Sequence, residues 1–188
     1  MGDWDSTMLS GPEGEDWRVP VSELASRLER LAQALRVDAL PGALIQHHVD
    51  LYYFAGGLKD GSLFVPADGT DGDGPVFFVR RSLKRARFEA GGDDAPFQLE
   101  PFPRLREFAD ALQARGASGA PGLQFGELPS SFVQRFSSAL SSLGECKDVT
   151  GIIHRLREVK SPWEQEQMAY GAEAVSYTHL TLPTKRKV

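Results

Sequence analysis

Short apolar runs bounded by Gly, Pro and Asp alternate along this chain with stretches whose apolar residues recur every three or four positions. That alternation restricts the fold to a sheet with helices packed on it. Val21, Leu24, Leu28, Leu31 and Leu35, with Glu23, Arg27, Glu29 and Arg30 between them, predict an amphipathic helix ended by Asp38 and Pro41-Gly42. Residues 43–46 read as a buried strand, followed by His47-His48 and an aromatic turn over residues 51–57. Residues 62–66 and 75–80 read as a hairpin around the Gly- and Asp-rich loop 67–74. Ser82 is placed to cap a helix running to Glu89, which Gly91-Gly92 stops. Strands at 97–102, 123–125 and 146–149 interleave with helices at 105–114 and from Ser130 onward, the last burying Phe132, Val133, Phe136 and Leu140. The expected class is therefore α/β, a mixed β-sheet flanked by helices.

The clearest helix start comes late. Ser161 at the N-cap, Pro162 at N1 and Glu164 at N3 form a capping box, in which Ser Oγ accepts from the N3 amide and Glu accepts from the cap amide. Behind it, residues 175–184 back-translate as GTC TCT TAT ACA CAT CTG ACG CTG CCG ACG, which reads in frame as a sequencing-library transposase adapter. The expectation is that residues 175–188 are adapter-derived and that the gene is truncated inside this helix. Genomic sequence continuing through codon 175 in an adapter-free clone would bear on this directly. Removing Lys185, Arg186 and Lys187 leaves 18 basic against 26 acidic side chains, a net charge of −8 in place of −5. The terminal Lys185-Arg186-Lys187 resembles a nuclear-import patch only if the tail is native, and so acidic a body has no general attraction to nucleic acid or anionic lipid.

The remaining 174 or so residues suit one domain with a single core. No run approaches the ~18 apolar residues of a membrane span, and the acidic leader lacks the apolar stretch of a signal peptide. Gly2 with Ser6 fits a loose acylation pattern, but a solvated leader is the plainer reading. Cys146 alone forms no internal disulfide, which fits a reducing, cytoplasmic setting.

Arg157-Glu158-Val159-Lys160-Ser161-Pro162-Trp163-Glu164 resembles the Arg-x-x-Lys-Ser/Thr-x-x-Glu junction of the creatinase, prolidase and aminopeptidase P family of pita-bread enzymes, where it leads from an N-terminal domain into the first catalytic helix. Tyr52-Tyr53-Phe54-Ala55-Gly56 resembles that family's Tyr-Leu-Thr-Gly turn, departing at Phe54-Ala55 and in the doubled Gly56-Gly57. The hairpin and the Arg-rich helix after it fit the same scheme, so the likeness spans residues 21–174. It implies a leader (1–20), a creatinase-type N-terminal domain (21–150), a linker and truncated first helix of a missing catalytic domain (151–174), and the adapter tail (175–188). It also implies that this fragment is noncatalytic, serving dimerisation and active-site closure. The missing domain would hold two divalent metal ions through two Asp, one His and two Glu, activating a bridging water to cleave an Xaa-Pro or related small C–N bond. The alternative is a stand-alone binding or oligomerisation module.

His48, Tyr52, Tyr53 and Phe54 are the substrate-lining candidates, set against a reading of the aromatics as core or interface residues. His47, His48 and Asp50 suggest metal ligands, but neighbours on a strand point to opposite faces and do not converge. No metal ligand or catalytic residue is assigned. Asp68, Asp71 and Asp73 lack EF-hand spacing and read as a solvated loop. Arg80, Arg81, Lys84, Arg85 and Arg87 form a basic run, an exposed helix side or else a site for an anion or acidic partner. Cys146 beside Lys147 reads as a small buried residue before a reactive thiolate.

Overall fold

The computed structural model describes residues 16–68 and 74–181, with side chains through residue 173. The Gly2 and Ser6 pattern, Asp71, Asp73 and the Lys185-Arg186-Lys187 tail lie outside the described residues. The chain divides into two units, residues 1–156 and 157–188.

In the first unit, α1 (Val21–Val37) buries Leu24, Leu28, Leu31 and Leu35, the expected stripe, and adds Arg27. A buried guanidinium must be satisfied. Arg27 bonds Glu23 at 2.9 Å and the carbonyl of Tyr53 at 2.7 Å, and its guanidinium carbon lies 4.1 Å from the centre of the Tyr53 ring. The sheet runs β1 (Gly42–Ile45), β2 (Gly61–Pro66), β3 (Val76–Val79) and β4 (Gln98–Pro101), in that spatial order. The first two pairings are antiparallel and the third is parallel, because α3 (Leu83–Glu89) crosses over between β3 and β4.

Side chains alternate between two cores. Ala43, Ile45, Leu63, Val65, Phe77 and Val79 face α1 and α2 (His48–Ala55). Leu44, Phe64, Val76 and Phe78 face α4 (Phe108–Gln113) and α5 (Ser130–Ala139), where Phe108 stands 5.6 Å from Phe136, edge to face. Burial on both faces explains why β1, β2 and β3 read as largely apolar runs, whereas the edge strand β4 is partly exposed. Each buried Phe contributes roughly 1.5–3 kcal/mol relative to exposure.

Three local expectations change. The segment expected as an aromatic turn is the helix α2, whose cap Gly56 takes a left-handed φ of 75° and donates its N–H to Tyr52. His47 and His48 are then not strand neighbours: His47 is the N-cap of α2 and His48 its first residue. Ser82 precedes α3 in a left-handed conformation, φ 60°, without a side-chain cap bond. The expected strands near Leu123 and Cys146 are reduced to parallel bridges, Ala43 with Gly122 and Leu123 with Asp148. Beyond the first, the Gln124 side chain, in place of a backbone carbonyl, accepts the N–H groups of Gln46 and His47 at 2.7 and 3.0 Å, and beyond the second Asp148 Oδ1 accepts the Phe125 N–H at 3.1 Å.

In the second unit, α7 (Pro162–Thr181) begins at the expected capping box: Ser161 N–H donates to Glu164 Oε2 at 2.9 Å and Glu164 N–H to Ser161 Oγ at 3.1 Å. The helix continues across Val175.

Candidate functional site

The end of β1, the start of α2, the segment 122–128 and α6 (Thr150–Glu158) bring polar side chains together from distant parts of the sequence. Asp50, fully buried in the first turn of α2, is the hub. Its Oδ2 accepts from Gln124 Nε2 at 2.6 Å and lies 3.0 Å from His47 Nδ1. Position matters here, since a carboxylate in the first turn of a helix also meets the positive end of the helix dipole. Gln124 thereby ties α2 to the tail of β1, using its carbonyl for two backbone amides and its NH2 for Asp50. Gln46 completes the buried layer by donating to Ser62 Oγ at 2.7 Å.

Towards solvent, Glu127 stands between two imidazoles, with its carboxylate 2.7 Å from His154 Nε2 and 3.8 Å from His47 Nε2. Asp148 shapes the adjoining turn. Burial alone would push its carboxyl up, but Thr150 Oγ1, the Thr150 amide and the Phe125 amide all donate to it, with His154 nearby, and hold it below the usual carboxylate range. Thr150 Oγ1 in turn accepts the Gly126 amide at 3.0 Å.

Chemically, Asp50 and His47 have the form of an oriented base. The hydroxyl in the buried layer, Ser62, is fully enclosed and accepts from Gln46. Among the described residues no three His, Cys, Asp or Glu side chains are grouped to hold a metal ion.

The four substrate-lining candidates separate. Tyr53 and Phe54 are buried, packed edge to face at 4.9 Å, with Tyr53 Oη donating to the Leu156 carbonyl at 3.3 Å. His48 and Tyr52 are exposed and share one face of α2 with Val49; His48 Nε2 lies 3.9 Å from Asp60. His47 and His48 therefore serve different partners. Sequence reasoning missed Gln46, Gln124, Glu127, Asp148 and His154. The one available signal was a Gln inside each of two short apolar runs. In the basic run, Arg85 turns inward to Glu89 at 2.7 Å, and Arg80 stacks 3.8 Å from the Phe102 ring centre. Cys146 is buried, and that burial, with Glu145 beside it, pushes its thiol up against a hydrogen bond to Ser137.

The creatinase/prolidase N-terminal domain family matches residues 27–159, most of the chain. The chain belongs to this family. Its fold is shared by solved structures that include the following three. The dipeptidase PepE of Mycobacterium ulcerans is 23% identical with a TM-score of 0.67, the match covering 88% of this chain and 45% of that one. The prolidase of Pyrococcus furiosus is 22% identical with a TM-score of 0.57, covering 74% and 40%. The aminopeptidase P of Streptococcus thermophilus is 16% identical with a TM-score of 0.56, covering 71% of this chain and 98% of that chain. No curated protein matches by sequence. As a creatinase-type N-terminal domain, the chain spans less than half of PepE and of the prolidase. No helix among the described residues is long and apolar enough to cross a membrane.

Proposed function

We propose that this chain is the noncatalytic N-terminal domain of a longer metal-dependent peptidase of Xaa-Pro or related C–N bonds, cut within the first helix of its catalytic domain. The observation that carries the reading is the junction: the family match ends at residue 159, and a capped helix starts at once beyond it. The exposed face of α2 with His48, Val49 and Tyr52, held by the Asp50 layer, is the surface that would close over the active site of a catalytic domain or of a dimer partner. Buried Tyr53 and Phe54 would support that surface from behind. The metal ions would be bound by residues outside this chain, and a reducing, cytoplasmic setting fits the single buried thiol.

That both apolar cores lie within the first unit fits a second reading, a stand-alone module that binds or oligomerises without catalysis. Long-read sequencing of the source locus across codon 174 separates the two. A frame continuing for roughly 200 residues, a second domain's worth, with two Asp, one His and two Glu in order, is the expected result. A genomic stop after codon 188 would overturn the truncated-peptidase reading in favour of the module.

A further inference from the structure

The outer face of α3 is strongly cationic, and the segment that precedes the described residues is strongly anionic. Arg81, Lys84 and Arg87 are exposed on or just before α3, with residues 84 and 87 one helical turn apart. Arg85 points away from them, to buried Glu89, which also draws in Lys59 at 3.4 Å. Arg87 meets Asp93 at 3.3 Å, a carboxylate 95% exposed and therefore only weakly held. Residues 1–15 contain Asp3, Asp5, Glu13 and Glu15 and no Lys or Arg.

What joins the two is the way the chain enters the domain. Asp16 binds Arg18 through both carboxylate oxygens, at 2.9 and 2.6 Å. Arg18 in turn donates Nη1 to the Phe88 carbonyl at 3.0 Å and lies 4.5 Å from the centre of the Phe88 ring. The start of the domain is thus fastened to the last turn of α3. A seven-residue helix is only about 10 Å long, whereas fifteen residues can reach about 50 Å. A tether of that length, fixed at one end of the helix, would bring the four carboxylates within reach of its cations.

We propose that the basic face of α3, formed by Arg81, Lys84 and Arg87, is a docking surface for the acidic leader of the same chain, residues 1–15. The leader acts there as a tethered counter-charge, which any other anionic ligand must displace. Its hold is electrostatic and between exposed groups, so salt weakens it.

The test is zero-length carbodiimide cross-linking of the full chain, in an equal mixture of isotope-labelled and unlabelled protein, with the links mapped by mass spectrometry. The reagent condenses the Lys84 amine with a carboxylate it touches, forming an amide with loss of water. Links from Lys84 to Asp3, Asp5, Glu13 or Glu15 within single-isotope chains are expected at low salt. Their yield should fall about fourfold at high salt, and likewise in an Arg81→Ser/Arg87→Ser variant, which keeps both reacting groups and loses two exposed cations worth about a factor of two each. Links only to carboxylates elsewhere, no links from Lys84, or mixed-isotope links as frequent as single-isotope ones would overturn the proposal, the last by pointing to a second copy. A yield indifferent to salt and to the double substitution would overturn its electrostatic basis.

Discussion

Asp50 shows how much one side chain can hold in a small domain. It is fully buried, yet it joins the α2 N-cap residue His47 to Gln124, seventy-four positions away, and Gln124 carries the amides that end β1. Removing the acceptor would leave a buried Gln amide and the ring N–H of His47 without it, the costly side of hydrogen-bond energetics. Asp50→Leu is therefore expected to lower unfolding free energy by about 2–4 kcal/mol in urea denaturation. Glu127→Gln, on the solvent side of the same cluster, should cost under about 1 kcal/mol, because its partners are partly exposed imidazoles. If the two variants lose the same stability, Asp50 is not the hub. Asp148 adds a pH dependence. Its carboxyl is held below its unfolded value by donors from Thr150 and Phe125, so its contribution is present above pH ~4 and is lost as pH falls through the lower folded value. Asp148→Asn keeps an acceptor but removes the titration, and should flatten part of the acid limb of a plot of melting temperature against pH. An unchanged acid limb would contradict this assignment.

At the scale of the element, α7 has the most local cause. Its two reciprocal cap bonds satisfy amides that would otherwise be orphaned, and both come from residues three apart. Ser161→Ala should cost about 1 kcal/mol of helix stability, read as reduced helicity or faster amide exchange in the first turn of α7. Exchange rates equal to those of the parent chain would show the box to be dispensable. Elements specified in this local way, α1 by its stripe and the β2–β3 hairpin by two apolar runs around a Gly-rich loop, were legible in the sequence. So was the mixed sheet with its flanking helices. The helix α2 was not: polar Asp50 is buried with Leu51, Tyr53, Phe54 and Ala55, while apolar Val49 and aromatic Tyr52 are exposed beside His48, so no polar stripe betrays a helical period, and its left-handed Gly56 reads equally well as part of a turn. The candidate site was legible only at His47, His48, Asp50 and the neighbouring aromatics. Gln124, Glu127 and His154 join them through contacts of long sequence separation, which no local pattern encodes.

For the molecule as a whole, the contrast between its two units makes the argument. The first buries two cores on either side of one sheet, with six phenylalanines wholly or almost wholly enclosed. The second leaves Met168 and Tyr170 of α7 about 60% exposed. Apolar side chains this open on a capped helix promote association in water when nothing covers them. If α7 is the first helix of a separate catalytic domain, deleting residues 161–188 should raise the soluble yield and the concentration at which the protein stays monodisperse. Melting temperature should change little, because both cores lie in the first unit. Lower solubility, or a melting temperature several degrees down, would mean that the helix belongs to the folded N-terminal domain, and the junction would lose its force. The same division predicts the chemistry. The purified 188-residue chain should release no product from Xaa-Pro peptides with or without added Mn²⁺, Co²⁺ or Zn²⁺, since on the proposed reading the metal-binding residues lie outside this chain. Metal-stimulated cleavage that follows the protein through gel filtration would sink the noncatalytic reading, while leaving family membership intact.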